Sequence, residues 1–467
     1  MASVAADQMQ SFCETIVRGR EAAPDLSLND YLADVPRLGT LGDLPSGSVV
    51  LVRGDTDAKP GAKVGEGDIR LRSMVETLKF GIEKGWKQIV FGHIGRKPEG
   101  SLEKVAKRLG ELLGVEVPLV EDWLDESSTT VTPAVTEAIA AAGPGSVIVL
   151  QNTRKYDIER VLWKAKVADL PELAPKLAKL ASELAEKVST TYIHEAFSAG
   201  SLDASSVAVP AGMDRVAIGK YAAGEFDGAM QQCLKADLAV FSGIKIDKLD
   251  DMEAMIARGT IKQIFASGSL AMAIRKAIGE LDGKPVSLGA AEDPANSSEP
   301  WYIPPARVEQ AKAIVADGRE KGITFTVPID SVIEDGSVKD ELEPSDQQLD
   351  IGPKSIEHFA AAVGAFIERT GPSVSDGTGA VAFHNGVFGV FEDPKFEAGT
   401  KAWIPELKRM KEAGVEVYVG GGEGGKALDK YGEPDWVTHC FTAGGTVLNA
   451  LGSEPVPYLV ALRSAAK

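Results

Sequence analysis

The chain has 467 residues, 44% of them hydrophobic, which is material for two or three packed domains. Its 68 acidic residues against 50 basic give a formal charge of −18. That argues against nucleic acid or an anionic membrane as partner, since both need a basic footprint. Cys13, Cys233 and Cys440 lie far apart without a CxxC spacing, so neither a zinc site nor a disulfide framework is indicated. A reducing, cytoplasmic location is expected. No apolar run is long enough to span a membrane. The opening MASVAADQMQSFCETIVRGRE lacks the basic and apolar blocks of a secretory signal.

In chain order, residues 1–36 are polar and read as an N-terminal extension. Strands are predicted at SVVLVR (48–53), QIVFG (88–92), VEVPLV (115–120), SVIVLQ (146–151) and TTYIH (190–194). Periodic helices lie between them, such as 101–114, with Leu102, Val105, Leu109 and Leu112–Leu113 on one stripe. EFDGAMQQCLKA (225–236) reads as a linking helix. The pattern then repeats at ADLAVFSG (236–243), KQIFASG (262–268), ITFTVPID (323–330), AVAFHNG (380–386) and VEVYVGGG (415–422). Residues 290–305 and 368–379 are loops by composition. Such alternation predicts an α/β protein: two Rossmann-like, doubly wound parallel-sheet domains facing each other across a cleft.

Ligands of open α/β sheets bind beyond the carboxyl ends of the strands. In the first half those ends carry Asp55 and Asp57, with Arg70 and Arg72 further along, then His93, Arg96 and Lys97, then Arg154. The stretch EAFSAGSLDASS after the fifth strand has no base. Each arginine taken singly could pair with a surface acid. Three arginines and a histidine at strand ends point instead to an anion, because the guanidinium fork suits carboxylate and phosphate oxygens.

In the second half the loops are glycine-rich. SGIKIDK (242–248) carries Lys245 and Lys248, while ASGSLA (266–271) and VGGGEGGKA (419–427) each open a predicted helix. Glycine lets backbone N–H groups approach phosphate oxygens at a helix N-terminus. Gly420, Gly422 and Gly425 match G-x-G-x-x-G, but no acid follows at the end of the next strand. The P-loop pattern fails at Ala427, where Ser or Thr is required. A phosphate cradle remains as the reading. FHNGVFGVFE (383–392) adds the Asn385-Gly386 turn and Glu392, a candidate ribose contact.

LDIGPKSIE (349–357), NGVFGVFE (385–392), GTKA (399–402), VGGGE (419–423), VRGD (52–55), GHIGRKP (92–98) and QNTR (151–154) together resemble the phosphoglycerate kinase family, in order and along nearly the whole chain after residue 36. The resemblance implies a carboxylate-substrate domain (37–220 plus 447–467), an ATP/ADP-binding domain (225–446) and hinge bending between them. It also implies a monomeric cytoplasmic kinase of glycolysis that uses Mg²⁺ with the nucleotide. The implied reaction is 3-phosphoglycerate with ATP to 1,3-bisphosphoglycerate and ADP. Carried over by position, Asp55, Arg70 and His93 are similar to contacts around the substrate carboxylate and hydroxyl, and Asp57 stands where the family has an asparagine. Arg96 and Arg154 resemble members of the patch for the distal phosphate. Arg70, Lys245 and Gly422 are the implied catalytic set. Lys245, Lys248, Gly268, Asn385, Gly386, Glu392, Gly420, Gly421, Gly422 and Glu423 are the implied nucleotide set, with Glu423 at the metal. The family's His-Arg-Ala-His stretch reads Ser201-Leu202-Asp203-Ala204 here. Leu202 for an arginine, with Asp57, favours a divergent kinase for another small carboxylate. The altered nucleotide loops also permit a catalytically silent nucleotide-binding or regulatory protein.

Overall fold

The apolar runs form two parallel six-stranded sheets, each in its own structural unit. A computed structural model describes residues 3–21, 26–370, 379–452 and 454–466. One unit comprises residues 1–227 with 454–467, and the other 228–453. In the first, the spatial strand order is Leu119–Val120, Val147–Leu150, Lys87–Phe91, Val49–Arg53, Thr191–His194, Arg215–Ile218. Every pairing is parallel, and Arg53 stands in register with both Phe91 and His194. Successive connections run one way from Val49–Arg53 and then reverse to Thr191–His194. The crevice between these two strands is the switch point, where α/β sheets bind ligands. Val50, Val52, Val90, Val147, Val149 and Ile193 build the core beneath it, with Leu71, Leu78, Val105 and Leu109 from the covering helices.

The second unit orders its strands Thr324–Thr326, Gln263–Ala266, Leu238–Phe241, Val381–Asn385, Glu416–Gly420, His439–Cys440, again all parallel. Its switch point lies between Leu238–Phe241 and Val381–Asn385. There the Ser242 N–H donates to the Asn385 carbonyl at 2.9 Å. A small antiparallel sheet of Ser331–Ile333, Val338–Lys339 and Gln348–Ile351 leads into the helix Pro353–Thr370.

Several expectations change. Only Leu119–Val120 of the strand predicted at 115–120 joins the sheet, because Pro118 has no N–H to give a ladder. The linking helix at 225–236 is two helices, Lys220–Asp227 and Ala229–Cys233, broken at Gly228 with φ −108° and ψ −101°. The stretch 1–36 is not merely polar. Helix Ala6–Glu21 buries Met9, Cys13, Ile16 and Val17 against helices Leu170–Lys187 and Pro457–Ala465. The loop read at 368–379 begins as the end of helix Pro353–Thr370, and residues 371–378 lie outside the described residues. No helix among the described residues is long and apolar enough to cross a membrane.

Candidate active site

In the first unit the strand-end cations close on one carboxylate. Arg53 ends its strand fully buried, because the parallel strands on either side leave its side chain no route to water. It donates to Ser205 Oγ at 2.8 Å and to the Gly54 carbonyl at 2.6 Å. One of its terminal nitrogens lies 2.8 Å from His93 Nδ1 and 3.4 Å from Asp203 Oδ2. Arg154 reaches both oxygens of Asp203, at 3.1 and 3.0 Å, and donates to the Gly95 carbonyl at 2.6 Å. Trp163 donates its indole N–H to Asp203 Oδ1 at 2.8 Å and stacks on the Arg154 guanidinium. Asp203 is fully buried. Burial alone would raise its pKa, but the surrounding cationic field outweighs burial and holds the carboxyl well below the usual range. His93 has its own pKa lowered, chiefly by burial and then by Arg53 and Arg154, against the pull of Asp203. His93, then Arg154 and Arg53, are the groups that hold Asp203 ionised against burial.

Arg70 forms a second cluster. It donates to Asp57 Oδ2 at 2.7 Å and lies 3.9 Å from Asp55 Oδ1. Asp57 also accepts the Gly95 N–H at 2.8 Å, bracing the loop that carries His93 and Arg96. Burial would raise its pKa, but the Gly95 N–H and Arg70 lower it. Asp55 accepts from Ser198 Oγ at 2.7 Å. Thus Asp55, Asp57, Arg70, His93 and Arg154 belong to one neighbourhood knitted through Gly95. Arg96 stands apart: it is exposed and, among the described residues, makes no ion pair. Leu202 is buried. Arg53, Asp203, Glu159 and Trp163 were missed by sequence reasoning. An acid in a strand-end stretch without any base was the one available signal for Asp203. Glu159 accepts from Thr153, and from both the N–H and the hydroxyl of Ser205; burial pushes its pKa up to about 7.

In the second unit, a solvent-open hollow lies at the carboxyl ends of the strands. Trp301, Leu349, Val387 and Val390 give it apolar walls, and Gly243, Gly268, Glu392 and Glu423 its polar ones. Trp301, which sits in a stretch read only as loop, is a further residue the sequence did not single out. Lys245 is exposed and Lys248 buried. Lys248 donates to the Ser242 carbonyl, and burial lowers its pKa to about 8, with Glu423 opposing.

The glycines divide into two kinds. A Cβ on Gly386 would meet the Ser242 carbonyl at 2.2 Å, one on Gly420 the Asn385 amide at 2.6 Å, and one on Gly421 the Phe441 carbonyl at 2.1 Å. Gly386 and Gly421 let backbone pack on backbone, and Gly420 makes room for the Asn385 side chain. Gly422 instead has φ +74° with open space beside it, and it leads into helix Glu423–Tyr431. That position leaves room for a ligand against main-chain N–H groups. Gly421→Ala is expected to overpack by about 1–3 kcal/mol. Calorimetry should show the unfolding of this unit lowered by roughly 2–12 °C.

Comparison with known proteins agrees with this layout. The family model described as phosphoglycerate kinase matches residues 43–454. The chain is 31% identical over 449 residues to the cytosolic phosphoglycerate kinase of Triticum aestivum, covering 92% of this chain and 98% of that one. It is 30% identical over 446 residues to the phosphoglycerate kinase of Leuconostoc citreum, covering 91% and 98%. The crystal structure of phosphoglycerate kinase from Pyrococcus horikoshii superposes with a TM-score of 0.69 at 21% identity, covering 92% of this chain and 99% of that one. That from Coxiella burnetii superposes at 0.63 and 22%, covering 91% and 99%. With a match to the family model over most of its length, the chain belongs to the phosphoglycerate kinase family and is a kinase.

Proposed function

We propose that the protein transfers the terminal phosphoryl group of ATP to a carboxylate, giving an acyl phosphate and ADP. In the family's reaction the carboxylate is 3-phosphoglycerate. The supporting observation is a division of chemistry between two switch points. The first unit offers guanidinium groups at its strand ends. The second offers a hollow with apolar walls beside glycine backbone, Lys245 and Lys248. Phosphoryl transfer needs little covalent help; it needs positioning and cations facing the equatorial oxygens. Arg70 is the guanidinium placed to serve there, because Asp57 and Asp55 orient it while leaving it 22% exposed. Arg70 faces the acceptor's carboxylate, and Asp55 beside it accepts a hydrogen bond from the acceptor's hydroxyl, with His93 nearby. Gly422 and the N–H groups opening Glu423–Tyr431 receive phosphate oxygens.

Magnesium, when bound with the nucleotide, supplies charge neutralisation at those oxygens. Among the described residues no group of three or more His, Cys, Asp or Glu side chains is placed to hold a metal. Glu423 on the wall of the hollow is the residue that would hold the ion. A single carboxylate fits, since magnesium takes its other ligands from phosphates and water. The test is ADP release with MgATP across a panel of carboxylates that includes 3-phosphoglycerate. No release with any of them sinks the proposal and leaves a silent nucleotide-binding protein.

Lys248 makes nucleotide affinity pH-dependent. Its amine loses charge as pH rises through about 8, and with it the attraction for phosphate. Titration calorimetry should find MgADP binding more weakly at pH 9 than at pH 7, by up to about tenfold for the loss of one partly screened charge contact. Lys248→Arg should flatten the profile. A profile equally steep in both proteins removes Lys248 from this role.

A second reading, a kinase for another small carboxylate, is favoured by the buried Asp203 cluster.

A further inference from the structure

Of the four arginines Arg53, Arg70, Arg96 and Arg154, only Arg96 lacks a carboxylate partner among the described residues. Arg53 and Arg154 each turn one terminal nitrogen to Asp203 and give another to a backbone carbonyl. Trp163 covers the pair from the side, with its N–H on the same carboxylate. Asp203 cannot swing away. It leads into the helix Ala204–Val207, all four residues of which are buried. It is also held by four different side chains at 2.8–3.4 Å. The arrangement has the form of a filled anion site, with the anion supplied by the chain. Arg70 is likewise occupied, by Asp57 at 2.7 Å. An incoming dianion would meet Asp203 and Asp57 already paired with these three guanidiniums.

We propose that Asp203 is a built-in anion that fills the arginine cluster of the first unit and so sets acceptor choice, favouring a carboxylate whose far end carries a hydroxyl, an amine or no charge over one ending in a phosphate. The inference rests on reading the first unit as the acceptor side. Charges of like sign brought together at a recognition site act chiefly to reject the wrong partner. Asp203 touches no reacting atom. It acts through Arg154, Arg53 and His93 as a positioning residue.

The test uses the full chain with MgATP and two acceptors that differ only in the distal phosphate, glycerate and 3-phosphoglycerate. The unmodified protein should show the larger kcat/KM with glycerate. Asp203→Ala and the isosteric Asp203→Asn should each raise the ratio of 3-phosphoglycerate to glycerate by roughly 10- to 100-fold, the scale of removing one like-charge contact. A purely structural role would lower both acceptors together and leave the ratio unmoved. An unmoved ratio in a folded variant, or a preference for 3-phosphoglycerate in the unmodified protein, overturns the proposal. Calorimetric titration with inorganic phosphate alone, without nucleotide, separates this idea from the kinase reading. Phosphate should bind the Asp203 variants and not the parent. Binding equal in both overturns the inference. If no acceptor is turned over by any of the proteins, the kinase reading fails and the phosphate titration decides the role of Asp203 by itself. Should Asp203→Ala not fold, Asp203→Asn carries both measurements.

Discussion

Arg70→Ala should lower kcat by about a hundredfold or more, the usual scale for removing one oriented group that stabilises charge in the transition state. The geometry explains why this arginine stands out. Arg53 and Arg154 are buried and turned to Asp203, whereas Arg70 is partly exposed beside Asp57. Asp55 at 3.9 Å and Asp57 together keep its guanidinium charged against burial. Acceptor binding should weaken but stay measurable, because Asp55 remains to accept from the acceptor's hydroxyl. Arg70→Lys should recover part of the loss, since the charge returns without the planar fork. Steady-state kinetics decides the matter. If kcat is unchanged while KM alone rises, Arg70 contributes only ground-state binding and the role assigned to it is wrong.

Arg53→Ala should destabilise the first unit by about 3–5 kcal/mol, the usual result of removing one partner from a buried ion pair. The substitution strands Asp203, which has no exposure to water. It also takes a donor from Ser205 and a neighbour from His93. For a unit of this size the unfolding temperature should fall by roughly 6–20 °C. Combining it with Asp203→Ala should cost less than the sum of the two single changes, because the second removes the charge that the first leaves unpaired. Calorimetric unfolding of the four proteins gives that cycle directly. Strict additivity would mean that Arg53 and Asp203 stabilise the unit independently.

How much of this could be read in the sequence depends on the range of the contacts. Strands such as Val49–Arg53 and Val381–Asn385 declare themselves by local β-branched runs ending in glycine, and a local signal suffices for a local element. The strand Arg215–Ile218 was missed as well. The sheet of Ser331–Ile333, Val338–Lys339 and Gln348–Ile351 was missed because its strands are two to four residues long. In the site, the positions of Arg70, His93 and Arg154 followed from strand ends plus resemblance. Their pairing did not. Asp203 meets Arg53 across 150 residues of chain and Arg154 across 49, and no local pattern encodes that meeting. The sequence reading placed the specificity change on Leu202 and Asp57. The folded chain places a buried, arginine-paired carboxylate one residue beyond Leu202.

The acyl phosphate itself provides the most direct test of the central claim. Hydroxylamine intercepts such a product as a hydroxamate, which is stable and coloured with iron. Incubation of the full chain with MgATP, hydroxylamine and each carboxylate of the panel should yield hydroxamate in step with ADP, and Arg70→Ala should suppress both. ADP release without hydroxamate for every acceptor would mean that the phosphoryl group goes to water, which would contradict the assignment of a carboxylate kinase.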